Sequence, residues 1–132
     1  MAKKKPKLDW GPMGAVAIPR SLMAHKDYRE LSGSARKVLD LLTFQYNGRN
    51  NGNLAATHTM MAEWGGMAKG TLAGALRELV DRDLIVKSRD HDRSRDGAKP
   101  TLYALAWQPI DECPGKNLEL APTTNAKRKL GC

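Results

Sequence analysis

Two adjacent glycines, Gly65 and Gly66, separate two segments whose apolar residues recur with helical spacing. The first segment is short and runs from Thr57 to Trp64, and the Thr57 hydroxyl can accept a free N–H group of its first turn. The second segment is longer and starts near Ala68. Glycine tolerates the positive φ that a tight turn requires. The pattern therefore predicts two helices joined by a short glycine turn.

A longer helix is expected upstream, in the stretch LSGSARKVLDLLTFQYNG. Ser32 or Ser34 can cap its first turn. Asn47 and Gly48 end it, because both residue types tolerate the left-handed conformation of a helix C-cap. A shorter helix is expected before it, after Pro19. The apolar residues that form a single stripe on the longer helix are Ala35, Val38, Leu39, Leu42 and Tyr46.

The periodicity changes after the second helix of the glycine turn. Two runs rich in strand-favouring residues follow, Leu84–Val86 and Thr101–Trp107, around a polar segment with Gly97 and Pro100. Two strands around a charged loop predict a β-hairpin. Residues 53–55 are also compatible with a short extended segment. In the helix that starts near Ala68, the residues predicted to face inward are Met67, Leu72, Ala75, Leu76, Leu79 and Val80.

The stretch AEWGGMAKGTLAGAL resembles the helix-turn-helix signature. Ala62 matches the small residue that this family needs where its two helices approach closely, and Gly66 matches the turn. The resemblance departs at Gly65, where the family usually has an aliphatic residue, so Trp64 would fill that space. Ala68 stands where a capping Ser or Thr is common. The residues that match the positions packing the two helices together are Met61, Met67, Leu72 and Ala75.

With the hairpin included, residues 18–107 resemble a winged helix-turn-helix domain. The first part of this stretch, residues 18–54, resembles small helix-turn-helix proteins carried by bacterial phages and plasmids. The resemblance implies a mainly α fold with a small β-hairpin: a three-helix core plus a wing. The expected organisation is a flexible basic leader (1–17), the winged domain (18–108) and a disordered basic tail (109–132).

The positive charge is unevenly placed along the chain. Lys and Arg exceed Asp and Glu by eight, which favours a polyanionic partner. Between Ser34 and Asp83 the charges nearly cancel, with six basic and five acidic residues. The surplus therefore flanks the predicted helical core. It comprises Lys3, Lys4, Lys5 and Lys7 in the leader, the segment 87–99, and Lys127, Arg128 and Lys129 in the tail.

The resemblance implies that the second helix of the turn enters the major groove of duplex DNA while the wing tip reaches neighbouring phosphates or the minor groove. Lys69 and Arg77 would contact guanine or phosphate, and Thr71 would contact phosphate or a thymine methyl group. The other outward positions of the helix are Gly70, Ala73 and Gly74. The wing contacts would come from Arg89, His91, Arg93, Arg95 and Lys99.

Each of these assignments has a structural alternative. Arg77 could pair with Asp81 on a solvated face, and Glu78 and Arg82 are spaced for a helical ion pair. The wing cations alternate with aspartates, and their role could be to keep the loop soluble and not to contact DNA. Asn50 and Asn51 could touch phosphate but fit turn formation better. The lysine leader is equally compatible with a DNA arm and with a solubilising tail.

Other classes of function lack support in the sequence. No phosphate-cradling glycine loop, HExxH or GxSxG pattern occurs, so we do not expect an enzyme. The two cysteines, Cys113 and Cys132, and the scattered histidines predict no metal site, cofactor or disulfide. No apolar run is long enough to span a membrane. We expect a protein of the reducing cytoplasm that associates with the nucleoid when bound to DNA.

The sequence thus predicts a duplex DNA-binding protein, most plausibly a transcriptional regulator of a bacterial mobile element. A replication or partition protein that binds an origin-like site fits the same features. A winged-helix module that binds a protein rather than DNA is a third reading, since fold does not fix function. Monomer and homodimer both remain open.

Overall fold

A computed structural model of the chain describes residues 9–91 and 99–130. The described part combines helices with a small antiparallel hairpin, which confirms the coarse fold predicted from the sequence. No helix in these two ranges has the length and apolar character needed to cross a membrane. The elements are α1 (Arg20–Met23), α2 (Lys26–Arg29), α3 (Gly33–Gln45), α4 (His58–Ala62), α5 (Lys69–Asp81), β1 (Ile85–Arg89) and β2 (Leu102–Leu105).

Helix α3 begins at a cap that α5 completes. The Ser32 hydroxyl accepts the Ala35 N–H at 3.1 Å, as the sequence predicts. The Glu78 carboxylate of α5 then accepts both the Ser32 N–H and the Ser32 hydroxyl, each at 2.8 Å. The predicted ion pair between Glu78 and Arg82 is therefore wrong. Arg82 reaches the Glu30 carboxylate instead, at 3.4 Å.

The glycine turn between α4 and α5 has the predicted backbone. Gly65 and Gly66 adopt φ of +97° and +80°, a region that favours glycine. The Gly66 N–H donates to the Met61 carbonyl at 2.8 Å. Thr57 caps α4 by accepting the N–H of its third residue at 3.1 Å. The cap position of α5, Ala68, supplies no side-chain hydrogen bond, which agrees with the departure noted in the sequence.

Two predicted inward positions of this unit are wrong. Ala62 was expected at a close approach between helices, but it is exposed, and Met61 is the fully buried residue of α4. Successive helical residues point about 100° apart, so the burial of Met61 turns Ala62 toward solvent. Val80 is likewise 38% exposed, at the edge of the stripe centred on Leu79. Trp64 is half-buried and packs edge-on against Phe44.

The hairpin is joined to α5 through a tight helix end. Asp83 adopts φ of +59°, while the Leu84 N–H donates to the Leu79 carbonyl at 3.0 Å. This is the hydrogen-bond pattern of a Schellman C-cap. β1 then pairs antiparallel with β2, with a register irregularity between Lys87 and Arg89. Leu54 pairs with the other side of β2 through an isolated bridge, so the predicted extended segment at 53–55 is reduced to one bridging residue.

Asn51 is fully buried and ties the turn before Leu54 to the end of the hairpin. Its Oδ1 accepts the Leu105 N–H at 2.7 Å. Its Nδ2 donates to the carbonyls of Leu105, Gln108 and Pro109 at 3.0, 3.1 and 2.9 Å. The side chain is therefore committed to the interior and unavailable to a phosphate.

The segments before and after the core differ in their burial and in their contacts with the domain. Residues 9–17 are exposed and contain no helix or strand. Residues 109–130, which the sequence predicts as a disordered tail, also lack helix and strand but lie against the domain. Their Arg128 side chain donates to the Asp27 carboxylate at 3.1 Å and to the Arg82 carbonyl at 3.0 Å. Lys3, Lys4, Lys5, Lys7, Arg93, Arg95 and Cys132 lie outside the described residues.

Candidate nucleic-acid interface

One face of α5 is solvent-exposed along its whole length. The opposite face is buried through Leu72, Ala75 and Leu79, whose spacing of three and four residues follows one side of a helix. The helix phase predicted from the sequence therefore agrees with the structure. The predicted contact residues that are exposed on α5 are Lys69, Gly70, Thr71, Ala73, Gly74 and Arg77.

The two cations on this face form no ion pair with another described residue. Within the ranges that the structure describes, neither Lys69 nor Arg77 has a hydrogen-bond or ion-pair partner, and the alternative pair between Arg77 and Asp81 does not form. The first turn of α5 contains no acidic residue, and its N–H groups have no side-chain cap. The positive end of the helix dipole and Lys69 thus lie together at one end of the face.

A groove of about 380 Å³ runs between α5 and the hairpin. Arg77 lies on its helical side and Lys87 on its hairpin side. Lys87 and Tyr103 are cross-strand partners in the register of β1 and β2, which places the cation beside the phenol. Burial, followed by the charge of Asp90, raises the pKa of Tyr103, so this phenol stays protonated at neutral pH. The lining residues are Ala73, Leu76, Arg77, Val80, Lys87 and Tyr103.

Lys87 and Tyr103 were not among the predicted contacts. A signal for them exists in the sequence, since pairing the two runs in antiparallel register sets one residue of each strand beside the other. The register itself depends on the irregularity between Lys87 and Arg89, which the sequence does not mark.

The hairpin residues predicted to contact DNA have different surroundings. Arg89 is half-buried, and its guanidinium donates to the Pro100 carbonyl at 2.7 Å and the Lys116 carbonyl at 2.9 Å. Arg89 therefore braces the hairpin where its loop begins. His91 is exposed and its Nδ1 lies 3.1 Å from the Asp90 carboxylate. Lys99 is half-buried. Arg93 and Arg95 lie outside the described residues.

Asp90 lowers the net positive charge at this end of the hairpin. A hydrogen bond from the His91 backbone N–H and then the charge of Lys87 lower the pKa of this exposed carboxyl, so it is ionised at neutral pH. The Lys87 Nζ lies 3.6 Å from it. The charge of Lys87 is thus partly offset by Asp90, whereas Arg77 has no ion-pair partner among the described residues.

No protein-family model, curated protein or solved structure matches this chain. The geometry of the site has three parts: a helix with an exposed face of small residues, two cations on that face without an ion-pair partner among the described residues, and a groove that continues the face onto a hairpin. Among residues 9–91 and 99–130, no three His, Cys, Asp or Glu side chains are grouped to hold a metal ion.

Proposed function

We propose that this chain is a winged helix-turn-helix protein that binds duplex DNA. The order of elements supports the fold: α3, the Leu54 bridge, α4, the glycine turn, α5 and the hairpin follow one another as in such domains. The sheet order also supports it, because β2 lies between Leu54 and β1. On this proposal α3, α4 and α5 form the three-helix core and the hairpin is the wing.

In this proposal α5 enters the major groove, which is wide enough for a helix. The single observation that carries it is that Lys69 and Arg77, which form no ion pair among the described residues, share an exposed helical face that continues into the groove beside Lys87. Lys69 and the free N–H groups of the first turn would contact one phosphate. Arg77 and Lys87 would contact the backbone on the hairpin side. Gly70 and Gly74 permit close approach.

The same face carries few side chains that can read base edges. Thr71 is its one hydroxyl, and glycine and alanine offer no donor or acceptor. We therefore propose that backbone contacts supply most of the affinity and that direct base readout is modest. Regulation of a bacterial mobile element remains the cellular role we propose, and replication or partition would use the same contacts.

Gel shifts with the full chain test this proposal. Wild type should bind a random-sequence duplex near 50 mM salt and lose affinity steeply as salt rises, because cations that contact phosphates displace counterions. The double variant Lys69→Ala/Arg77→Ala should weaken binding at least tenfold. The control Lys26→Ala/Lys129→Ala removes the same charge from exposed positions elsewhere and should have a small effect. Equal effects of the two double variants would refute the assignment to α5.

A protein-binding role is the second candidate, and the groove favours it. Leu76 and Val80 form an apolar part of its lining, and Ala73 adds no polar group. A partner helix could pack there, as apolar faces do in helix-in-groove recognition. This candidate predicts that wild type binds no duplex at 50 mM salt. That result would refute the DNA-binding proposal.

A further inference from the structure

The C-terminal segment (residues 109–130) and the hairpin enclose a second cavity, of about 330 Å³. Three of its lining side chains are cationic: Arg89 of β1, Lys99 before β2, and Lys116 of the C-terminal segment. No carboxylate of the described residues lines it. Three like charges around one space repel each other, and an anion inside the cavity would remove that repulsion.

The nearest acidic groups have other partners. Asp90 and Glu119 line an adjoining cavity, which Arg89 and Lys99 also line. The Asp90 carboxylate lies 3.6 Å from the Lys87 Nζ and 3.1 Å from the His91 ring. The Glu119 carboxylate accepts the Asp90 N–H. Among the described residues, neither carboxylate forms an ion pair with Arg89, Lys99 or Lys116.

Arg89 is held in place with donors to spare. Its two bonds to the Pro100 and Lys116 carbonyls use two of the five N–H donors of a guanidinium. Its Nε is shielded from solvent, so the donors left for a ligand are the second N–H groups of the two terminal nitrogens. A planar guanidinium fixed in this way suits an oxyanion, because its remaining donors are preoriented.

Lys116 is positioned by a turn. Its N–H donates to the Cys113 carbonyl at 3.2 Å, and Gly115 between them adopts φ of +78°. Pro114 followed by glycine at positive φ is the signature of a type II turn. The bond from Arg89 to the Lys116 carbonyl then fixes the turn against the hairpin. The lysine backbone is thus held from two sides, while its side chain is exposed.

We infer that Arg89, Lys99 and Lys116 bind one phosphate group in this cavity. The shared chemistry is a tetrahedral oxyanion, which comes either from the backbone of a bound duplex or from free phosphate. The duplex source rests on the proposed function, whereas the free-phosphate source does not. In either case the C-terminal segment contributes a ligand-binding residue.

Two measurements on the full chain test this inference. In the first, inorganic phosphate is titrated into ¹⁵N-labelled protein at constant ionic strength, and amide shifts are followed at Arg89, Lys99 and Lys116. In the second, duplex affinity is measured over a salt series. Both compare Lys116→Ala with Lys129→Ala, which removes one exposed tail charge from a different cavity.

The inference expects saturable phosphate shifts at the cavity that weaken at least tenfold in Lys116→Ala and remain in Lys129→Ala, or a salt slope that falls by about 0.9 in Lys116→Ala alone. A slope effect assigns the phosphate to the duplex. Phosphate shifts without a slope effect assign it to free phosphate, and phosphate shifts without any duplex binding also overturn the proposed function. If phosphate gives no saturable shifts and the two variants have equal slopes, the inference is wrong.

Discussion

Replacing Asn51 with alanine would remove the hydrogen bonds by which its own side chain joins the turn before Leu54 to the end of the hairpin. The Leu105 N–H would lose its acceptor, and the carbonyls of Leu105, Gln108 and Pro109 would lose a shared donor. Asn51 has no exposed surface, so bulk solvent does not reach these groups while the fold is intact.

The expected loss of stability follows from the hydrogen bonds that the Asn51 side chain makes. A neutral hydrogen bond contributes about 1 kcal/mol net, and a buried donor left unsatisfied costs about 1–3 kcal/mol. The amide has two protons for three carbonyls, so we count three effective bonds, including the one from the Leu105 N–H. The free energy of unfolding should fall by about 3–5 kcal/mol, which is large for one substitution. Asn51→Asp should be at least as destabilising, because it keeps the acceptor and places a charge against three carbonyls.

Urea unfolding followed by circular dichroism measures this change. The control is Asn50→Ala, which removes a neighbouring half-buried amide. Asn50 donates to the Gln45 carbonyl at 2.8 Å and accepts the Asn47 N–H at 2.9 Å. Asn50→Ala should cost about 1–2 kcal/mol, because these two hydrogen bonds are partly exposed to solvent. If the two alanine variants unfold within about 1 kcal/mol of each other, the role assigned to Asn51 is incorrect.

Three further predictions concern stability. Gly52→Ala should destabilise by more than 1 kcal/mol in urea, because Gly52 has φ of +123° and a Cβ there would lie 2.9 Å from the Leu118 Cδ1. Arg128→Ala should cost about 2 kcal/mol and speed proteolysis of the C-terminal segment, since its side chain is 11% exposed and bonded to Asp27; unchanged cleavage would contradict this. The raised pKa of Tyr103 means that its contribution to stability is full below about pH 10 and is lost as pH rises through the folded pKa. Tyr103→Phe should therefore flatten the fall in unfolding free energy above pH 10, and an unaltered fall would count against that origin.

Sequence patterns predicted the features that depend on local spacing. The Ser32 cap, the buried stripe of α3 and the positive φ of Gly66 follow from a few neighbouring residues. The exposed face of α5 follows from the spacing of Leu72 and Leu79 in the same way. Such features need no knowledge of which distant segment packs against them.

The remaining features depend on partners far along the chain. Glu78 is spaced for a pair with Arg82, yet it binds Ser32 because α5 crosses the start of α3. Asn51 has the sequence context of a turn residue, and only the path of the hairpin makes it a buried brace. Ala62 shows the opposite error: a resemblance placed it inside, whereas the short α4 turns it outward.

The candidate site also combines residues set by local spacing with residues set by distant partners. The exposure of the six α5 residues follows from periodicity, whereas their assignment as contact residues comes from the resemblance. Lys87 joins them only through the strand register. Arg89 is fixed beside the hairpin loop because two carbonyls accept its hydrogen bonds. Lys116 could not be selected, because the Pro114–Gly115 turn lies in a segment whose composition favours disorder.

Mapping the duplex on the protein by NMR tests the central claim most directly. A duplex of mixed sequence is titrated into ¹⁵N-labelled full chain at about 50 mM salt, and shift changes are assigned to residues. Binding through the candidate interface predicts the largest changes from Lys69 to Arg77 and at Lys87, with small changes on the exposed side of α3. No change with any duplex, or changes confined to the lysine leader and the residues around Lys127, would contradict it.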